Sequence, residues 1–208
     1  MKTRIFLALM ISGAILSMTA CINLGTGRSP SAKFYMLETG TAGPVAEAAG
    51  SLPAGFTIGV GPIRTPRYLN RPMIVTRTGP NEIQSAEFHQ WAEPLRDNIS
   101  RVMSAELLLL TGAANAFSFP WRSAIPVNVQ VAVNVIQFDA TANGDVTLKA
   151  QWTLFSEKGK KVLLTHRSAI NRPAQGSGYA DRVATMSLAL GVLTREIADA
   201  IVAAASSF

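Results

Sequence analysis

The sequence predicts an α+β fold, with an antiparallel sheet that carries two amphipathic helices packed on one face. Apolar and polar residues alternate through residues 127–136, so a strand with one buried and one polar face is expected there. Turn-forming segments, Asn143-Gly144-Asp145 and Glu157-Lys158-Gly159-Lys160-Lys161, join that strand to two further ones as a meander. Two other stretches, from Glu93-Pro94 to Gly112 and from Tyr179 to about Ala205, repeat apolar residues at helical spacing. Helices and an antiparallel sheet, each with one apolar side, bury those sides against one another.

In chain order, Lys33-Phe34-Tyr35-Met36-Leu37-Glu38 has strand composition, and the Gly-, Ala- and Pro-rich residues 39–54 read as a loop. Phe56-Thr57-Ile58-Gly59-Val60 alternates and stops at Gly61-Pro62. Residues 73–77 form a compact strand, Thr78-Gly79-Pro80-Asn81 a turn, and residues 82–88 a hairpin partner. Pro94 suits a first helical turn, where its missing N–H is not needed. Leu95, Ile99, Val102, Met103, Glu106, Leu107 and Leu110 follow helical spacing until Gly112 ends the helix. Val129, Val131, Val133 and Val135 face one way, and Asn128, Gln130 and Asn134 the other. Residues 146–156 and 162–172 are the next two strands. Ser177 is a plausible N-cap for the last helix, whose stripe is Val183, Met186, Leu190, Leu193, Ile197 and Ile201.

The N-terminus has a different composition. Lys2 and Arg4 precede an apolar run from Ile5 to Leu16, and small or uncharged residues lead into Cys21, the only cysteine. A basic head, a short apolar run and a small-residue exit describe a secretory signal. The run is shorter than the roughly 20 residues of a membrane-spanning helix. Met18-Thr19-Ala20-Cys21 looks like a bacterial lipobox, which implies cleavage before Cys21, diacylglycerol on its sulfur and a fatty acyl chain such as palmitate on the new amino terminus. Two or more chains give stable attachment, at about 0.8 kcal/mol per buried CH₂. Residues 1–20 are thus expected to be a signal peptide and 21–32 a tether. Residues 33–208 would form a single periplasmic domain.

The 208 residues are 48% hydrophobic and 15% charged, the balance of a packed globular chain. Loss of residues 1–20 removes Lys2 and Arg4 and no acid, leaving a mildly basic chain suited to an anionic membrane surface. That charge is too weak to argue for nucleic acid. With Cys21 acylated no thiol remains for a disulfide, a zinc site or a nucleophile. His89 and His166 have no carboxylates at metal-site spacing, so no metal and no cofactor is expected. His166 reads as a solvent-facing strand residue and His89 as a surface or packing residue. There is no Gly-x-Ser-x-Gly, phosphate loop or dinucleotide fingerprint, and the acids show no paired-carboxylate signature. Catalysis is not expected.

The most distinctive stretch contains Val60-Gly61-Pro62-Ile63, Pro66-Arg67-Tyr68-Leu69-Asn70-Arg71-Pro72, Ile74-Val75-Thr76-Arg77 and Ala86-Glu87-Phe88-His89-Gln90-Trp91-Ala92-Glu93-Pro94-Leu95. Together with the lipobox it resembles the PqiC-like lipoproteins, auxiliary components of ABC-type and MCE-associated intermembrane transport systems. Asn70 stands where that family often has Asp, and Gln90 where it often has Arg. The resemblance implies a periplasm-facing outer-membrane lipoprotein, working with a periplasmic MCE-domain protein and an inner-membrane component that move lipids or other hydrophobic molecules. A homo-oligomer is compatible with it. The other reading is an envelope assembly lipoprotein that binds proteins without transport.

Pro66 and Pro72 stiffen the backbone around Tyr68, Leu69 and Arg71. Tyr, Trp and Arg are the residue types of binding hot spots, so Tyr68, Leu69, Arg71 and Trp91 form the candidate partner-binding set. The same residues equally suit a loop packed onto the core. The exposed polar face bearing Asn128, Gln130 and Asn134 is the other candidate surface.

Overall fold

The computed structural model describes residues 31–39, 52–156 and 161–205. Cys21, the expected leader and most of the expected tether lie outside them, as do most of the expected loop at 39–54 and of the expected turn at 157–161.

The strands are β1 (Lys33–Tyr35), β2 (Thr57–Arg64), β3 (Met73–Gly79), β4 (Glu82–Trp91), β5 (Asn115–Ser118), β6 (Val129–Thr141), β7 (Val146–Ser156) and β8 (Lys161–Arg172). The helices are α1 (Leu95–Thr111) and α2 (Tyr179–Ala205). β6 is the hub. One edge pairs antiparallel with β7 from Gln130↔Phe155 to Ala140↔Val146, and β7 pairs antiparallel with β8. The expected meander is present.

The other edge of β6 is shared by two strands. β2 runs parallel to its first half, from Ile58↔Val129 to Arg64↔Asn134, and β3 runs parallel to its end at Thr76↔Ala140 and Arg77↔Thr141. Beyond them the sheet forks. β2 continues to β5 in parallel, β3 to β4 as the expected antiparallel hairpin, and β4 to β1 in parallel. The eight-stranded sheet is therefore mixed, and the expectation of a purely antiparallel one is corrected. The physical reason is the connection between β2 and β6. It runs through a hairpin and α1, long enough to return the chain in the same direction.

β6 also runs five residues past the alternating stretch, to Thr141. Its register with β7 shifts between Val135 and Gln137, a bulge at Ile136 that resets which side chains face the core. Phe138 and Ala140 thus return to the buried side, and Asp139 lies between them on the other face.

α1 lies over β2 and β5, α2 lies over β6, β7 and β8, and the helices pack against each other. The apolar stripe of α2 is buried at all six expected positions, with Val129, Val131, Val133 and Val135 beneath the helices. Burying such side chains stabilises by about 1.5–3 kcal/mol each. Gly112 closes α1 in the left-handed conformation (φ 62°), as expected. The cap of α2 falls one residue after Ser177, since the Gly178 carbonyl accepts the Arg182 N–H. Buried Asn98 holds the chain after β1: its Oδ1 accepts the Leu37 N–H at 2.6 Å.

Gly59 has a steric reason. A Cβ there would meet the Trp121 ring at 2.7 Å and Val127 Cγ1 at 2.9 Å, so only hydrogen lets the loop before β6 lie on β2.

Candidate functional site

Two short segments meet beside the start of α1. The first is the single turn Arg67–Leu69, closed by hydrogen bonds from Leu69 N to Pro66 O (3.0 Å) and Asn70 N to Arg67 O (3.1 Å). The second leaves β4 at Trp91 and enters α1 through Glu93 and Pro94. They are joined by the Trp91 N–H, which donates to Pro72 O at 2.7 Å. Between them lies a groove of about 460 Å³, with Leu69, Arg71, Pro72, Trp91, Pro94 and Arg96 among its lining residues.

Three of the four candidate residues line this groove. Leu69 and Trp91 form its floor and are only 4% and 6% exposed. Arg71 stands exposed at its rim and donates from Nη1 to Ser85 Oγ at 2.9 Å. Glu93, another lining residue, is held by Arg101 at 3.1 Å. Asn70 accepts a hydrogen bond from Thr65 Oγ1 at 2.7 Å. The rim thus mixes proline, arginine and amide around an apolar floor, a composition suited to protein contact.

Tyr68 is not among the lining residues. It turns to the open face of the sheet and donates its hydroxyl proton to Asp139 Oδ2 at 2.8 Å. Arg77 grips the same carboxylate from Nε at 3.1 Å and Nη2 at 2.9 Å, and Gln137 Nε2 donates to Oδ1 at 2.9 Å. Burial alone would raise the Asp139 pKa, but the donors Arg77, Gln137 and Tyr68 outweigh it and hold the carboxyl below its usual range. Tyr68 is pushed up to about 12, by burial first and then by its bond to Asp139. Asp139 is absent from the sequence-based candidates. Its signal was a lone acid beyond an alternating strand, and the bulge at Ile136 concealed that the strand continues. The network's effect is mechanical: it fixes the turn that forms one wall of the groove.

His89 lies elsewhere, between β1 and α2. Its Nδ1 and the Tyr35 hydroxyl are hydrogen-bonded at 2.7 Å, and its ring stacks on Tyr179 at 3.9 Å between centroids. Partial burial, then Lys33 and Arg182, lower its pKa from the ordinary 6.5. The folded state thus favours the neutral ring, so the unfolded chain takes up the proton first as pH falls. The unfolding midpoint is expected to drop as pH is lowered from 7.5 to 5.5, and to drop less in His89→Gln. Thermal unfolding across that range checks it. His166 is exposed, with its ring 5.4 Å from that of Trp152.

Among the described residues no three of His, Cys, Asp and Glu gather as a metal site, and no helix is long and apolar enough to cross a membrane.

The ABC-type transport auxiliary lipoprotein component family matches residues 35–198, which contain the groove and nearly every element of the fold. The chain belongs to that family. Among solved structures, this transport auxiliary lipoprotein is similar to a Xanthomonas campestris protein with 18% identity and a TM-score of 0.70, over 85% of this chain and 98% of that one. It is also similar to an uncharacterized protein of known crystal structure, with 19% identity and a TM-score of 0.66, over 83% and 99% of the two chains. At those identities the likeness concerns the fold. No curated protein matches the chain.

Proposed function

We propose that this transport auxiliary lipoprotein is a non-enzymatic subunit of a system that moves lipids or other hydrophobic molecules between membranes. In this reading residues 1–20 are removed, Cys21 carries the lipid and residues 21–32 tether the domain. The domain faces the periplasm from the outer membrane. Ile22 follows the cysteine, where Asp would favour inner-membrane retention. The partners are a periplasmic MCE-domain protein and an inner-membrane transport component, with no role for nucleic acid.

The observation that carries the reading is the groove. Two of the segments that carry the family resemblance, separated by the β3–β4 hairpin, form the two walls of one apolar-floored recess with Arg71 at its rim. Loss of a central hot-spot side chain typically costs about 2 kcal/mol or more of binding, a factor of at least ten. Arg71 is exposed and makes one side-chain hydrogen bond, so its removal leaves the core intact. Arg71→Ala is therefore expected to weaken capture of the transport partner at least about tenfold with the unfolding midpoint nearly unchanged. Affinity capture from solubilised envelope, quantified beside thermal unfolding, tests it. Normal capture would move the interface away from the groove. In parallel, Cys21→Ser should abolish lipid labelling and release the domain from the membrane fraction.

A further inference from the structure

The open face of the sheet, away from both helices, carries a row of four polar side chains. Register places Arg64 of β2 opposite Asn134 of β6, Asn134 opposite Gln151 of β7, and Gln151 opposite Arg167 of β8. Arg64, Asn134 and Arg167 are exposed and Gln151 is half-buried. Arg167 Nε donates to Gln151 Oε1 at 3.0 Å, which aligns its guanidinium with the row. Beside the row is a recess of about 350 Å³, lined by Arg64, Gln130, Asn134, Gln151, Thr153 and Phe155 among others. Lys149 adds a further cation on the same face, opposite Gln137. The only acid in these four strands is Asp139, whose oxygens are held by Arg77, Tyr68 and Gln137. The arginines of the row thus face a surface without a free carboxylate of its own strands.

We propose that this face docks an extended acidic segment of a partner protein, with two carboxylates four residues apart. The spacing carries the argument. Arg64 and Arg167 are separated by three strand-to-strand steps, roughly 14 Å. A lone phosphate or carboxylate cannot bridge them. An extended chain advances about 3.4 Å per residue, so residues i and i+4 project to one side and span about that distance. Between the arginines, Asn134 and Gln151 offer amides that both donate and accept, matching a peptide backbone lying across the sheet. Phosphate oxygens of a membrane surface accept only and call for no such acceptors.

The surface is separate from the groove, and the test keeps the two apart. The full chain in detergent micelles is titrated with a fluorescent nine-residue peptide of Ser and Thr bearing Glu at positions 3 and 7. A second peptide bears Glu at positions 3 and 6, on opposite sides of an extended chain. The first is expected to bind at least about tenfold more tightly, and Arg64→Gln and Arg167→Gln each to weaken it at least about fivefold, as for charge pairs across an interface. Both effects shrink at high salt, neither variant shifts the unfolding midpoint, and Arg71→Ala leaves peptide binding unchanged. Equal affinity for the two peptides, no binding at millimolar peptide, or indifference to both substitutions overturns the proposal. So does a preference for phosphatidylglycerol over phosphatidylcholine vesicles that the two substitutions remove while peptide binding stays unmoved.

Discussion

Arg77→Met is expected to destabilise the domain by about 3–5 kcal/mol, because it leaves a buried carboxylate without its cation. The Asp139 side chain is 1% exposed and that of Arg77 27%, so water cannot replace the guanidinium at the acid. Tyr68 and Gln137 remain as donors but are neutral. The pH dependence should also reverse. In the native protein the Asp139 pKa lies below its ordinary value, so its contribution is present above the unfolded pKa and lost as pH falls through the folded one. In Arg77→Met, burial dominates and lifts the folded pKa above the unfolded one. The contribution is then present at low pH and lost as pH rises. Replacing both partners, as Arg77→Met with Asp139→Leu, is expected to cost less than the sum of the single changes, since no charge is left buried. Urea unfolding at several pH values measures all three variants. An unchanged pH slope in Arg77→Met would show that the ion pair does not hold the turn.

Trp91→Ala is the second large effect, at about 3–5 kcal/mol. Trp91 is 6% exposed and its indole belongs to the hydrophobic core, whereas its backbone pairing with Tyr35 of β1 and its backbone N–H bond to Pro72 O survive in alanine, so the cost is that of the lost core packing. For a domain of this size each kcal/mol moves the unfolding midpoint by about 2–4 °C, which predicts a fall of roughly 6–20 °C. A loss of partner capture in this variant therefore reports on the groove floor as scaffold. Arg71→Ala reports on contact. If Trp91→Ala unfolds at the native temperature, the indole is not part of the core.

What could be read from the sequence follows the range of the forces involved. The β6–β7–β8 meander and both helices were legible because their patterns repeat locally: valines at every second position, and leucines and isoleucines at helical spacing. The four parallel pairings were not. They join segments dozens of residues apart, and nothing in Ile58 or Thr76 states that each will lie beside β6. β5 is four residues long and too short to show a period. At the site, Leu69, Arg71 and Trp91 were recognisable as types that line recesses, and proline positions marked their stiff backbone. The direction of Tyr68 was not readable, because it is set by a carboxylate 71 positions away beyond a bulge.

The central claim is that the groove between the Arg67–Leu69 turn and the start of α1 receives a transport partner. A photo-crosslinking amino acid at Asn70, exposed among the groove-lining residues, tests it most directly in intact envelopes. The control position is Leu109 on α1, which is largely exposed and not among the lining residues. The account predicts an adduct from position 70 that contains the MCE-domain protein or the inner-membrane component, and no such adduct from position 109. Adducts of equal yield from both positions, or none from position 70 while the protein remains assembled with its partners, would contradict it.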